Sequence, residues 1–209
     1  NPARVDPAKV ILPPKTPDNP ATRLMHSRYV LSVMDMDSLI GEFLEQIKPH
    51  IDMNNTIIIY TSDHGQNWLF GKWTLNETGT RTPFIAVWPG VIKPKTTTNA
   101  MISWIDIVPT IIDVAGGEVP KSIDGRSFKN VLLRKTDHFR DTVLTFFKGE
   151  FNATVHPARA VRTQNWKYIY NTHPEYFYTS YMEGTGSKHN FQNWNEWETG
   201  ALKDQQSAQ

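Results

Sequence analysis

The stretch Thr56-Ile57-Ile58-Ile59-Tyr60-Thr61-Ser62-Asp63-His64-Gly65 decides both the class of fold and the place of any site in this chain. Its first five residues are β-branched or aromatic, the composition of a strand buried on both faces. It ends in two adjacent metal-ligand side chains, Asp63 and His64, and Gly65 permits a sharp exit. In open α/β sheets ligands sit just beyond the carboxyl ends of the strands, which is where these two side chains emerge. Asp and Gly are also ordinary turn residues, so a plain strand-to-loop turn accounts for residues 60–65 equally well.

Working outward, residues 10–20 contain Pro13, Pro14, Pro17 and Pro20, and predict an extended lead-in. Asn19 before Pro20 predicts a helix start, with a capping side chain followed by proline in the first turn. The helix runs to about Ile47. Tyr29, Val33, Met36, Ile40, Phe43 and Ile47 recur at alternating steps of four and three and draw one apolar stripe. Asp35, Asp37, Glu42 and Glu45 belong to the solvated side. Pro49 stops the helix and Asn54-Asn55 makes a turn.

Downstream of the opening stretch, Phe84-Ile85-Ala86-Val87-Trp88 predicts a strand ended by Pro89-Gly90. Residues 104–115 predict a helix closed by Gly116-Gly117, with Pro109 marking its start or a kink. Val143-Leu144-Thr145-Phe146-Phe147 reads as a further strand. Ala160-Val161-Arg162 and Trp166-Lys167-Tyr168-Ile169-Tyr170 pair as a hairpin around Thr163-Gln164-Asn165. Beyond Asn171 the chain is aromatic and polar without clear periodicity. Alternating strands and helices predict an α/β fold with a mostly parallel central sheet flanked by helices.

Composition narrows the function classes. A net charge of +1 over 209 residues, with both signs interspersed, provides no basic stripe for nucleic acid. No apolar run approaches the length that crosses a bilayer. The first residues, Asn1-Pro2-Ala3-Arg4-Val5-Asp6, hold no hydrophobic core of a signal peptide. The chain has no cysteine, which excludes disulfides, thiolate metal sites and a cysteine nucleophile within it.

Several separated motifs, in order, give the chain its resemblance to a known family. Ser62-Asp63-His64-Gly65 resembles the second metal-binding motif of the type I sulfatases, which share the alkaline-phosphatase-like fold. Residues 71–83, Gly71-Lys72-Trp73 through Arg81-Thr82-Pro83, are similar to that family's lysine-containing loop and the turn after it. Trp88-Pro89-Gly90 matches the end of the next strand. Asp106-Ile107-Val108-Pro109-Thr110 with Ala115-Gly116 resembles the second family signature, and Asp124-Gly125-Arg126-Ser127 the following turn. Arg159-Ala160-Val161-Arg162 and Trp166-Lys167-Tyr168-Ile169 are similar to the strand pair opening the C-terminal subdomain. The layout of residues 159–171, followed by an aromatic insert, looks most like the N-sulfoglucosamine sulfohydrolase-type branch.

That resemblance implies a hydrolase acting on sulfate esters or sulfamates of a sulfated small molecule or glycan. It assigns residues 1–140 to the catalytic α/β domain and 141–209 to the return to the sheet and the start of a smaller α+β subdomain. It implies a calcium ion, with Asp63 as a carboxylate ligand. It leaves His64 with two roles, since imidazole is a poor calcium ligand: ligation of the metal, or a hydrogen bond to the bridging oxygen of the leaving group. It places Lys72 over the sulfate, as a catalytic and substrate-binding cation, and leaves His156 as a candidate lining residue of a substrate subsite. Trp68, Phe70 and Trp73 are left between stacking on sugar rings and filling the loop's own core.

The family's nucleophile is a formylglycine made from Cys or Ser in a Cys-or-Ser-X-Pro-X-Arg motif, which this chain lacks. The expectation is therefore an internal or C-terminal piece of a sulfatase, inactive alone and partnered by the missing N-terminal part. One competing reading is a two-zinc nucleotide pyrophosphatase or phosphodiesterase of the same superfamily, for which His138, His156 and His173 would be enlisted as ligands. Another is a non-catalytic module binding sulfated glycan. The family implies an extracytoplasmic setting: periplasmic, secreted or lysosomal. Asn54, Asn76 and Asn152 each open an N-glycosylation tripeptide.

Overall fold

Asn19 starts the first helix as its sequence predicts: extended at its own backbone, it accepts the Thr22 N–H on Oδ1 at 2.9 Å, ahead of Pro20. Helix α1, Pro20–Ile47, then runs to a one-turn 3-10 segment, Lys48–His50, that contains Pro49. A computed structural model describes residues 4–14, 16–149 and 157–175. The described residues fall into two compact units, those up to Ile51 and those from Asp52 onward. In the first unit, the proline-rich lead-in is tied back to α1 by Arg23. Its guanidinium reaches the carbonyls of Ala8 and Val10 at 3.0 and 3.2 Å and forks onto the Asp18 carboxylate. The buried residues of α1 are Thr22, His26 and Ser27. The apolar stripe behaves otherwise: Tyr29, Val33, Met36 and Phe43 are exposed.

In the second unit, β1, Ile58–Thr61, pairs with β2, Phe84–Val87, in the register Ile58↔Val87 to Thr61↔Phe84. Between them lies a one-turn helix α2, Glu77–Thr80. Next come α3, Ile107–Val114, with Pro109 in its first turn, and α4, Lys129–Leu132. The chain then forms a second sheet of β3, Val143–Phe147, β4, Ala158–Arg162, and β5, Lys167–Asn171, ordered β3-β4-β5.

Every strand pair among the described residues is antiparallel, where the alternation of elements predicts a mostly parallel sheet. The physical reason lies in the connections. A parallel pair needs a crossover of a dozen or more residues, usually a full helix. The link from β1 to β2 is instead a folded loop with a single helical turn. Strand β1 is also half-buried along its length rather than sealed on both faces. Strand β2 alternates, with Phe84 and Ala86 turned inward and Ile85 and Val87 exposed.

The main core forms around Phe128, Val131 and Leu132, with Ile57, Phe84, Ala86 and Phe139 packed against them. Phe84 and Phe139 both meet the Phe128 ring edge-on, at 5.5 and 6.0 Å. Beside it sits a buried charge. Asp106, with no exposed surface, closes a capping box with Ser103 and receives the N–H groups of Ser103 and Arg126, each at 2.9 Å. Arg140 completes the set with a two-pronged contact, Nε donating at 2.8 Å and Nη2 to the other oxygen. Burial alone would push the Asp106 carboxyl up, but these donors outweigh it and hold it below its ordinary value. Gly125 is required here, because a Cβ would run into the Ile105 carbonyl oxygen.

Candidate active site

Residues 62–83, which leave β1 and return in β2, carry three of the four candidate site residues. Asp63 and His64 leave the carboxyl end of β1 together. The Asp63 side chain is 81% exposed and the His64 side chain 36%, with Nε2 of the imidazole 3.2 Å from Asp63 Oδ2. Asp63 Oδ1 accepts the His64 main-chain N–H at 2.9 Å, and Ser62 Oγ donates to the His64 carbonyl at 2.7 Å. His64 Nδ1 lies 2.8 Å from the Gly65 carbonyl oxygen. A carbonyl can only accept, which assigns the Nδ1 proton and turns the Nε2 edge toward the Asp63 carboxylate. An imidazole lone pair beside a carboxylate oxygen is repulsive unless a proton or a cation lies between them.

The loop beyond is held by its own main chain. Gly65 N–H donates to Gly79 O at 2.9 Å, Lys72 N–H to Gln66 O at 2.8 Å, and Thr74 Oγ1 to Phe70 O at 2.8 Å. Added Cβ atoms at Gly65, Gly71 and Gly79 would meet the carbonyl oxygens of Thr78, Gln66 and Gly71 respectively. The three glycines thus let the loop's turns touch backbone to backbone. Trp68 and Leu69 of this loop are buried, so the Trp68 ring has no open face to stack on a sugar. Lys72 is half-buried, with its ammonium 4.9 Å from the centre of the Trp73 ring. Phe70 and Trp73, on either side of Lys72, have φ of 57° and 65°, a region that bulky residues seldom adopt. Such strain persists only where surrounding structure imposes it.

The loop is anchored to the second sheet through Glu77. Its Oε1 accepts from Arg162 Nε at 3.0 Å and lies 2.7 Å from Lys167 Nζ. Burial would raise the Glu77 carboxyl, but the hydrogen bonds and charges of Lys167 and Arg162 prevail and hold it below its ordinary value. Leu75 packs against Ala158 and Ala160 of β4, with Phe147 alongside. The Glu77 carboxylate goes to β4 and β5 rather than to Arg81 of its own loop, whose main-chain N–H donates to Glu77 O at 2.8 Å. The only hint in the sequence is a lone carboxylate in a loop of glycine and threonine, which names no partner.

The structure therefore brings Asp63 and His64 into contact and sets Lys72 on the same self-bonded loop. His156 lies outside the described residues, as do Asn152 and the aromatic insert beyond residue 175. His138 pairs with Asp141 at 2.9 Å and His173 with Glu175 at 2.8 Å. Among the described residues no three His, Cys, Asp or Glu side chains converge to enclose a metal ion. Asp63 and His64 offer two adjacent donors, a hard oxygen and an imidazole nitrogen, that fit one side of a divalent cation.

The chain matches the sulfatase family model over residues 9–117 and that of the N-sulphoglucosamine sulphohydrolase C-terminal region over residues 64–186. It is 34% identical over 145 residues to an ulvan-active sulfatase of Formosa agariphila, covering 68% of this chain and 28% of that one. It is 32% identical over 150 residues to an N-acetylglucosamine-6-O-sulfatase of Bacteroides thetaiotaomicron, covering 68% and 27% of the two. A protein solved in complex with its substrate D-glucosamine-2-N,6-O-disulfate superimposes with a TM-score of 0.64 and 27% identity, over 76% of this chain and 35% of that one. The chain thus spans little more than a quarter of the two curated relatives. With two family models matched in their expected order, and with an alkaline-phosphatase-like α/β fold, the chain belongs to the sulfatase family.

Proposed function

We propose that the protein carrying this chain hydrolyses sulfate esters or sulfamates on a sulfated glycan, and that residues 62–83 form part of its active site. The observation that carries the reading is the contact of Asp63 with His64 at the end of β1, on a loop that also presents Lys72. Support for a glycan substrate comes from the glucosamine sulfates named for two of the similar proteins. Residues 1–140 belong to the catalytic domain in this reading and 141–209 to the start of the C-terminal subdomain. Further strands beside β1 and β2, supplied by the remainder of the enzyme, would complete a mostly parallel sheet. Exposed Ile85 and Val87 of β2, and the stripe on α1, are surfaces such a remainder would cover.

Asp63 would hold the divalent cation, calcium in this reading, which supplies a positive charge facing the sulfuryl oxygens when bound. The hydrated aldehyde of a formylglycine outside this chain would supply the nucleophile. The chain's own residues do the rest. Lys72 brings three N–H donors and a compact charge to the sulfuryl group. The Gly65 carbonyl fixes the His64 ring through Nδ1, so that Nε2 faces either the cation beside Asp63 or the bridging oxygen of the leaving group. In this reading the protein works outside the cytoplasm, in periplasm, lysosome or the extracellular space, a setting its membership of the sulfatase family supports. Among the described residues, no helix is long and apolar enough to cross a membrane.

Sulfate release by the full-length protein from glucosamine 2-N-sulfate and 6-O-sulfate, measured beside phosphodiester cleavage, tests the reading. Turnover of a sulfated sugar is expected, and Asp63→Ala should lose both bound calcium and that turnover. Phosphodiester cleavage without sulfate release would replace the sulfatase reading with its phosphodiesterase rival. Glycan binding without any turnover would mark a non-catalytic module.

A further inference from the structure

Arg162 and Lys167 face each other in register across the β4–β5 pair, just before the hairpin turn. Like charges directly opposite in a sheet repel, so the pair stands in need of an anion. Glu77 of α2 provides it, and its Oε1 meets both cations. The three protons of the Lys167 ammonium are matched by three acceptors of one loop: Glu77 Oε1 at 2.7 Å, Leu75 O at 3.0 Å and Thr80 Oγ1 at 2.7 Å. The carboxylate is therefore pinned from two strands.

The constraint passes from Glu77 to the site through main chain. The same single helical turn that carries Glu77 offers Gly79 O to the Gly65 N–H at 2.9 Å, immediately after His64. Gly79 also lies so close to Gly71, the residue before Lys72, that a Cβ at Gly79 would strike the Gly71 carbonyl oxygen. A shift of α2 thus moves the backbone next to both His64 and Lys72. The glycine contacts bring these turns together backbone to backbone.

We infer that Glu77, clamped by Arg162 and Lys167, is a positioning residue that sets where His64 and Lys72 stand relative to the sulfuryl group. It touches no reacting atom, and its effect on catalysis rests on the sulfatase reading above. A misplacement of about 1 Å in such a site costs about 10²-fold in rate.

The test uses the full-length protein with Glu77→Ala and Glu77→Gln, alone and combined with Lys72→Ala. Glu77→Ala should lower kcat roughly 10- to 100-fold per folded molecule while KM stays within about threefold. Glu77→Gln keeps an acceptor oxygen and should fall between Glu77→Ala and wild type. In the Lys72→Ala background, Glu77→Ala should cost less than it does in wild type, because one of the two groups it positions is already gone. Hydrogen exchange at the amides of residues 65–72 should speed up in Glu77→Ala while β3 amides keep their protection. Unchanged kcat with unchanged exchange, or losses that multiply fully with Lys72→Ala, would overturn the inference. Should the wild-type protein release no sulfate, the functional reading fails by itself, and the exchange measurement still decides whether Glu77 holds the loop.

Discussion

Replacing Lys72 with alanine in the full-length protein is expected to lower kcat by about 10²–10³, the usual cost of deleting one donor aimed at charge that develops in a transition state. Sulfate esters carry their negative charge on the non-bridging oxygens, and Lys72 and Arg81 are the two residues of 62–83 that bring a full positive charge. The expected loss is in kcat more than in KM, since an interaction that strengthens in the transition state acts on the rate. Stability should hardly change. The ammonium lies over the Trp73 ring, a contact worth about 0.5–1 kcal/mol at a partly exposed position. Thermal unfolding beside steady-state kinetics checks this. A variant that melts early while its folded fraction keeps wild-type turnover would place Lys72 in the scaffold and the pocket elsewhere.

The second large effect concerns stability alone. Asp106→Ala leaves the Arg140 guanidinium without its carboxylate and strands the N–H groups of Ser103 and Arg126 beside a fully buried position. Breaking a buried ion pair from one side typically costs about 3–5 kcal/mol. For a cooperative unit of about this size, that corresponds to roughly 6–20 °C in Tm. Acid should reproduce part of the loss in the unmodified protein. The folded-state carboxyl is held below its unfolded value, so its contribution is complete above an unfolded pKa of about 3.9 and disappears as pH falls through the lower folded one. Denaturant midpoints between neutral pH and the acid range, compared for Asp106→Asn and wild type, measure it. A wild-type profile as flat as that of the variant would remove Asp106 from the list of groups that stabilise this region.

Local signals in the sequence were sufficient for the elements they govern. The Asn19 cap, the Pro109 first turn, the β3 strand and the hairpin of β4 and β5 all depend on neighbours within a few residues, and all stand where those neighbours put them. Strand pairing is different, because it depends on what else joins the sheet. Alternation of strands and helices spoke for parallel pairs, and the pairs within the described residues are antiparallel. The stripe of Tyr29, Val33, Met36 and Phe43 was legible as a pattern, but periodicity names a face without saying what covers it. Asp63, His64 and Lys72 were singled out through the resemblance to the sulfatases, and the structure sets all three on one self-bonded loop, with their roles left to the proposal above. Glu77 was not, since its partners lie in β4 and β5, far along the chain. Asp106 shares a local capping box with Ser103, but its burial against Arg140 comes from a contact 34 residues away that no local pattern encodes.

The exposed faces of the two sheets bear on how this protein can be handled at the bench. Ile85 and Val87 stand out from β2, and Leu144 and Phe146 from β3, an edge strand of its sheet. Flat edges with apolar side chains template pairing between molecules. Produced as an isolated 209-residue polypeptide, the chain should collect in the insoluble fraction or scatter light increasingly with concentration. Under the proposed formylglycine mechanism it should also show no sulfate release, because it has no cysteine and no Ser-X-Pro-X-Arg motif. An assay on such a preparation would report its colloidal state before its chemistry, so variants of Asp63, His64 and Lys72 belong in the full-length protein, where soluble yield and turnover are separate measurements.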